Sequence, residues 1–438
     1  MDQIIRPNAG VLNILRKRRT AGSDYRMLKY VIDKEVEEGY LLLNTFTKEL
    51  LLLTREEYDN RLENEHLRQN WFVVPDRTDE RELVKLVRLI VASQQGIYIN
   101  RYKVLTTTEC NARCFYCYEH GCAKLTMDEE TAQKTAEYII KNHGGQEVTV
   151  TWFGGEPLCN ARVIDIICKR LQEAGVRYES KMYSNGYLFD DDMVDKAVNT
   201  WRLESLHITL DGTEKVYNKT KAFIYKTGSA YQKVMQNIER LLAAGIRVII
   251  RLNIDLNNAE DLMALVDVLT ARFGDKKGVE VYAFPIYDES VVQAERYSKE
   301  KLDLLNKKLL DIKSKIENGL TYARHERLDT RIVYNCCTAD CDHATTVMPD
   351  GSLTPCNHKG DRIGHVASEE LDRELVESWK ELCEDLPECQ DCAFYPGCIR
   401  LKKCTNPLSC VDSLRGFKRR NAEKVMVKEL GYWKSANA

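Results

Sequence analysis

Glu109-Cys110-Asn111-Ala112-Arg113-Cys114-Phe115-Tyr116-Cys117-Tyr118 follows directly on the apolar and threonine-rich run Tyr102–Thr108. That run reads as a strand, so the three cysteines stand on the loop at its C-terminal end. Their spacing is C-x3-C-x2-C. Three thiolates on one short loop can hold three irons of a four-iron cube. Protein-held clusters of this type normally take four cysteines, which leaves the fourth iron open. An open metal position serves catalysis, whereas a structural site is closed. A three-cysteine zinc site or a chance cluster are the other readings of this loop, although zinc usually takes paired C-x2-C spacing.

The 438 residues suggest several domains. Hydrophobic residues make up 44% and charged ones 30%, as in ordinary globular chains. A net charge of −3 gives no global field for nucleic acid or an anionic membrane. No apolar run has the length of a membrane span, and Met1–Pro7 lacks a secretory apolar core. These features predict a cytoplasmic protein without nucleic-acid or membrane partners. Sixteen cysteines in such a compartment argue for metal and against disulfides. None precedes Cys110, and ten lie between Cys336 and Cys410, so two metal-bearing regions are expected.

Residues 1–95 carry no cysteine and read as a winged-helix-like domain. The apolar runs Tyr40–Phe46 and Glu49–Leu53 predict a hairpin around Thr47-Lys48. Thr54 with Glu57 three residues on is a capping box opening a helix. A short strand at Trp71–Pro75 and a helix over Asp79–Ser93 complete the domain. Its basic residues are interrupted by acidic ones, which argues against DNA binding. Residues 96–298 alternate strand and helix: strands at Tyr102–Thr108, Glu147–Phe153, Arg177–Tyr183, Ser205–Leu210, Arg247–Ile254 and Val279–Pro285, with helices between. Such repeats predict an α/β fold with a parallel sheet of about six strands. Sites in these sheets gather at the C-terminal strand ends. A charged helix, Lys299–Glu317, lies in an expected bridge over 299–332. Residues 333–412 are rich in cysteine and poor in periodic segments, so they depend on metal to fold. Residues 413–438 read as a basic helical tail.

Trp152-Phe153-Gly154-Gly155-Glu156-Pro157 ends the second strand of this series. Paired glycines let the backbone approach a ligand closely and are expected to leave its polar groups free. Glu156 offers a carboxylate to an ammonium group. The cysteine loop and this motif together resemble the radical SAM superfamily. The resemblance implies a partial (β/α)6 TIM-like barrel in which S-adenosylmethionine chelates the open iron. It implies reductive cleavage to a 5′-deoxyadenosyl radical at the cluster held by Cys110, Cys114 and Cys117. Cofactor contacts carried over from it are Tyr116, Gly154, Gly155, Glu156, Ser184, Asn185, Asp211, Arg251 and Asn253. Ser184-Asn185-Gly186 and Asp211-Gly212 also read simply as turns.

The C-terminal cysteines resemble the SPASM extension, a Cys-rich iron–sulfur domain that holds two auxiliary four-iron clusters, making three [4Fe–4S] clusters in all. Position by position, the first auxiliary cluster would take Cys337 (or Cys336), Cys341, Cys356 and Cys404. The second would take Cys389, Cys392, Cys398 and Cys410. Five residues separate Cys398 from Cys404 where the pattern commonly has three. Cys122, Cys159, Cys168 and Cys383 are left over, and Cys168 lies within an apolar helix. Residues 1–95 resemble a RiPP recognition element, which implies that the leader of a ribosomal precursor peptide adds a strand to the hairpin or its neighbour. These resemblances imply a peptide maturase that installs a thioether or carbon–carbon crosslink, with a flavodoxin or ferredoxin as reductant. Two alternatives are an anaerobic sulfatase-maturing, formylglycine-forming enzyme and a non-catalytic metal-binding peptide adaptor. The first usually has Asp after the cysteine matching Cys356, and here Asn357 stands there.

Overall fold

A computed structural model describes residues 1–18, 22, 24–93, 96–117, 119, 121–225, 228–286, 299–323, 337–357, 360–368, 370–381, 389, 391–397, 401–403 and 412–437. Contacts divide the chain into two compact units. The first comprises Met1–Gly96, Glu326–Asp340 and Lys380–Ala438. The second comprises Ile97–His325 and Cys341–Trp379.

The first unit opens with β1 (Asp2–Ile5), α1 (Ala9–Arg16), β2 (Tyr25–Met27), β3 (Val31–Val36), β4 (Gly39–Asn44) and β5 (Glu49–Leu53). It continues with α2 (Arg55–Asp59), α3 (Glu65–Gln69), β6 (Val73–Pro75) and α4 (Glu80–Ser93). The expected hairpin is β4–β5, turned at Lys48, which sits in the left-handed region at φ 65°. Thr54 caps α2, and the reciprocal bond from Glu57 completes the capping box. The strand order is β1-β5-β4-β3, all antiparallel. Both edges of the hairpin are therefore filled, so of the two edges expected, the hairpin's or a neighbour's, only a neighbour's is open in this sheet. The outer strands β1 and β3 carry the edges. The unbroken leucine runs are explained by burial on both faces. Leu41, Leu43, Leu50 and Leu52 pack on one side, and Leu42, Leu51 and Leu53 pack with Phe72 and Val73 on the other.

The second unit continues with β7 (Arg101–Thr107), α5 (Glu129–Asn142), β8 (Val148–Gly154), α6 (Ala161–Glu173), β9 (Tyr178–Ser184), α7 (Asp191–Asn199) and β10 (Leu203–Thr209). Then come α8 (Glu214–Lys221), α9 (Ala230–Ala243), β11 (Arg247–Ile254), α10 (Ala259–Phe273), β12 (Val279–Pro285) and α11 (Lys299–Gly319). Asp128 and Asp190 cap α5 and α7 through their carboxylates. The strands β7 to β12 lie side by side in chain order and are parallel, forming a partial, barrel-like α/β core. α11 packs on α10 and β12 as the helix of the last βα pair. Along β8, Val148, Val150 and Trp152 are buried, while Thr149, Thr151 and Phe153 are half-exposed. One sheet face is thus covered by helices and the other is polar and aromatic.

Three more strands, β13 (Ala344–Val347), β14 (Ser352–Thr354) and β15 (Gly364–His365), precede α12 (Arg373–Lys380). β13 runs parallel to β7 and extends the sheet beyond the six expected strands, so part of the Cys-rich region is built onto the core sheet. The expected domain over 333–412 is divided: Cys341 and Cys356 lie in the second unit, and Cys337, Cys389 and Cys392 in the first. The tail is α13 (Asp412–Asn437), and its Ala422, Met426 and Leu430 pack on the Ile32, Leu41 and Leu50 face of the first unit's sheet. Among the described residues, no helix is long and apolar enough to cross a membrane.

Candidate active site

The cysteine loop leaves the end of β7 and is fixed by the end of β8. Gly155 N–H donates to the Thr107 carbonyl at 3.0 Å, and Glu156 N–H donates to the Glu109 carbonyl at 2.9 Å. These donors, expected to be free, are spent on holding the loop. Gly154 has φ +131°, and an added Cβ would stand 2.1 Å from the Thr107 oxygen. At Gly155 an added Cβ would stand 2.5 Å from the Glu109 oxygen. Both obstacles are backbone, so glycine is required for the two strand ends to meet.

Glu156 is fully buried. It accepts from Ser184 Oγ at 2.8 Å, Asn185 N–H at 2.8 Å and Leu158 N–H at 3.2 Å. Burial pushes its carboxyl up to about 7, against the lowering effect of those donors. Asn185 also reaches the loop, with its Nδ2 donating to Asn111 Oδ1 at 2.6 Å. The turn reading of Ser184-Asn185-Gly186 is met by bonds from Gly186 N–H to Ser184 Oγ and from Tyr187 N–H to Asn185 Oδ1. Its side chains simultaneously tie β9 to Glu156 and to the cysteine loop.

A second anchor was invisible in the sequence. Lys221, the last residue of α8, is buried, and its Nζ lies 2.9 Å from Asp211 Oδ2 and 2.7 Å from Tyr116 Oη. Tyr116 Oη donates to Asp211 and accepts from Asn253 Nδ2 at 3.2 Å. Burial alone would drive the Lys221 ammonium pKa down, but Asp211 and Tyr116 beside it outweigh burial and hold it well above the ordinary lysine range. Nothing marked this lysine in the sequence, because a cation in a last helical turn reads as solvated.

Cys110, Cys114 and Cys117 are partly buried and free of disulfides. Burial pushes the Cys110 thiol up to about 12 and raises that of Cys117. Thiolate formation there needs a compensating metal charge. Among the described residues, no three His, Cys, Asp or Glu side chains are set to share one metal ion. A four-iron cluster would need each thiolate to take its own iron. Buried polar atoms without partners remain nearby: Asn111 Nδ2, Asp211 Oδ1 and Arg251 Nε. The donor set therefore fits a three-thiolate cluster with a polar cofactor beside it.

Below these groups the open sheet face is layered. Ion pairs run across it from Glu179 to Lys181 (3.2 Å), Glu204, Arg247 and Glu280 (3.1 Å). Tyr183 pairs in register with His207. Phe153 lies edge-on to Tyr183 at 5.3 Å, and Tyr183 stacks on His207 at 4.3 Å. Burial, then Arg247, Arg251 and Lys181, lowers the His207 pKa to about 4, so its ring is neutral near pH 7. Lys103 Nζ stands 5.2 Å from the Phe153 ring and donates to Asn357 Oδ1 at 2.7 Å. Arg251 stacks over Phe284 at 4.4 Å. The sequence reading did not single out Tyr183 or His207. Their signal was a polar or aromatic residue at alternate positions of otherwise buried strands.

In the second unit Cys341 is buried against Arg101, whose guanidinium donates to its sulfur. Burial raises the Cys341 thiol pKa and Arg101 opposes that rise. In the first unit Cys392 N–H approaches the Cys389 carbonyl at 3.5 Å. Cys336, Cys383, Cys398, Cys404 and Cys410 lie outside the described residues. Cys168 is buried within α6, and Cys159 and Cys122 are exposed.

Residues 104–269 match the model of the Radical SAM superfamily. The chain is 26% identical over 306 residues to a GTP 3′,8-cyclase of Clostridium perfringens (strain 13 / Type A), covering 64% of this chain and 89% of that protein. It is 23% identical over 249 residues to the radical SAM cyclopropyl synthase TigE of Paramaledivibacter caminithermalis, covering 50% of this chain and 48% of that protein. Its fold is similar to that of anSMEcpe with bound AdoMet (TM-score 0.59, 14% identity, 75% of this chain and 98% of that one). It is also similar to Streptococcus suis SuiB bound to precursor peptide SuiA (TM-score 0.53, 13% identity, 86% and 94%).

Proposed function

We propose, from the premise that the chain is a radical SAM enzyme, that it is a peptide maturase installing a thioether or carbon–carbon crosslink in a ribosomal precursor. Bound S-adenosylmethionine and a four-iron cluster supply hydrogen-atom abstraction from an unactivated carbon. Cys110, Cys114 and Cys117 would hold that cluster. Asp211, Arg251 and Asn253 would face the cofactor at the strand ends, as would Gly154 and Gly155 through their carbonyls. Ser184, Asn185 and Glu156 hold the shape of this end. The remaining C-terminal cysteines would carry two auxiliary clusters, and a flavodoxin or ferredoxin in the cytoplasm would supply electrons.

One combination of features carries this reading. The second unit has an open sheet face lined by Phe153, Tyr183, His207 and Lys103. The first unit has a six-residue edge strand, β3, paired only through β4 among the described residues. A peptide needs a chamber for the reacting side chain and a strand edge for its leader. A nucleotide needs no such edge. The fold likeness to structures holding AdoMet with a peptide or a precursor peptide agrees with this. The formylglycine route is disfavoured, since Asn357 has no acidic proton acceptor and its Oδ1 receives the Lys103 ammonium.

Nucleotide cyclisation is the competing reading, favoured by the cyclase relatives. Anaerobic incubation of reconstituted enzyme with S-adenosylmethionine, reductant and either GTP or a synthetic Cys-bearing precursor peptide separates the two. The maturase reading expects a peptide lighter by a pair of hydrogens and intact GTP. Consumption of GTP with an unchanged peptide would refute it.

A further inference from the structure

We infer that the outer side of the cysteine loop, with Phe115, Ile224 and Tyr225 exposed on it and Arg113, Lys219 and Lys233 beside them, is the docking surface for an acidic, flavodoxin-like one-electron carrier. The inference rests on the radical SAM reading of that loop and adds where its electron enters. The loop has two sides. Tyr116 turns inward to Asp211, Lys221 and Asn253. Its neighbour Phe115, one residue after Cys114, is 66% exposed, and Ile224 and Tyr225 are 48% and 42% exposed. Backbone bonds hold the segment of these last two against the loop. Arg113 N–H donates to the Lys221 carbonyl at 2.8 Å, and Ile224 N–H donates to the Asn111 carbonyl at 2.9 Å. Tyr225 stacks on Tyr187 at 4.8 Å, and Lys233 Nζ stands 4.2 Å from the same Tyr187 ring. Large apolar side chains left in water beside polar ones mark an interaction site.

The charge here has one sign. From Cys110 to Cys117 the loop carries Arg113 and no acid, and residues 215–233 carry five lysines and neither Asp nor Glu. That is a local excess of positive charge on a chain whose net charge is −3. Arg113 is exposed and spends its guanidinium on the neutral carbonyls of Cys110 and Ala112. Lys219 and Lys233 are exposed, and among the described residues neither pairs with a carboxylate. Aromatic side chains with cations beside them suit a partner whose own face is acidic. The partner's chemistry follows from the place. Phe115 lies between Cys114 and Cys117, and electron transfer falls off steeply with distance, so a carrier seated on Phe115 is well placed to reduce the site. One electron passes to the loop cluster, and the carrier's flavin hydroquinone becomes its semiquinone. The precursor's reacting side chain is served instead by the sheet face of Phe153, Tyr183 and His207.

The experiment mixes a photoreduced acidic flavodoxin with the reconstituted full chain in an anaerobic stopped flow and reads the appearance of flavin semiquinone. The wild type should react in a second-order step that slows as salt is raised, because exposed charges are screened. Lys219→Glu/Lys233→Glu should slow this step at low salt by about tenfold, the lower end of electrostatic steering, and should lose most of the salt dependence. Lys219→Ala/Lys233→Ala should fall between the two. With dithionite as reductant, all three proteins should cleave S-adenosylmethionine at the same rate. Wild-type flavodoxin kinetics in the Lys219→Glu/Lys233→Glu variant would overturn the inference, as would an equal loss with flavodoxin and with dithionite. So would a variant that loses affinity for a synthetic precursor peptide and keeps its flavodoxin rate, which would assign the surface to the peptide. Absence of cleavage by the wild type with dithionite would instead overturn the radical SAM reading of the loop.

Discussion

The two units solve the same problem of a β-sheet in opposite ways. In the first unit both faces of the β1-β5-β4-β3 sheet are apolar and covered. Such a sheet can offer a partner only its edges. In the second unit helices cover one face, and the other carries Thr149, Thr151, Phe153, Tyr183 and His207, half-buried or exposed. This sheet offers a chamber. Each unit also buries a glutamate with a pKa near 7, but in different settings. Glu156 is held by three donors from β9 and the turn after β8. Glu49 accepts from Gln3 and Asn70, and its Oε2 has no partner. The first carboxylate joins strand ends around a site. The second lies at the start of β5, where Gln3 of β1 reaches it.

The largest effect is expected at the joint between β8 and the cysteine loop. Gly155→Ala brings a methyl group to 2.5 Å from the Glu109 oxygen, and backbone must move. A displacement of about 1 Å at a reacting centre costs about 100-fold, so cofactor cleavage should fall by that order. Cleavage at the wild-type rate would show that the joint is not what sets the loop.

The next effect separates the two glutamates. Burial raises Glu156 from 4.5 to about 7, so the folded chain binds its proton more tightly than the unfolded one. Stability is then fully present below about 4.5 and falls as pH rises to about 7, by at most about 3 kcal/mol for a shift of this size. Urea unfolding of the metal-free chain at several pH values should show this decline for the second unit, and Glu156→Gln should flatten it. Glu49, also raised to about 7 by burial, should behave likewise in the first unit. A stability that rises over this window would contradict both assignments.

The smallest effect concerns the edge. The Tyr30 carbonyl accepts from Thr45 N–H, so alternation along β3 turns Ile32 and Lys34 toward β4 and leaves Asp33 and Glu35 facing outward. Glu35→Pro should be tolerated by the fold, since proline is allowed at an edge. It should weaken precursor binding about tenfold, the worth of one hydrogen bond near the upper end of its usual range. Fluorescence anisotropy of a labelled precursor reads this, and unchanged affinity would remove β3 as the leader's edge.

Local pattern carried much of this architecture. β11 and β12 have the bounds assigned from the sequence, and the capping box at Thr54 is present. Glycine pairs after a strand marked the joint correctly, although their role proved to be contact with backbone. What escaped depends on contacts between segments far apart in sequence. β3 has the mixed composition Val31-Ile-Asp-Lys-Glu-Val36, and it is a strand because β4 pairs with it. β13 is four residues long and is held by β7. Lys221 ends a charged helix of low apolar content, and only the fold reveals that Asp211 and Tyr116 wait for it. Asp211-Gly212 read equally as a turn or a ligand contact, and Asp211 is also the counter-charge of that lysine.

The most direct test of the account is S-adenosylmethionine cleavage by the anaerobically reconstituted, reduced protein, compared with its Cys110→Ala/Cys114→Ala/Cys117→Ala variant. The wild type should hold about twelve irons and form 5′-deoxyadenosine. The variant should form none while keeping roughly two thirds of the iron. Cleavage that survives the triple substitution would contradict the assignment of the open cluster to this loop.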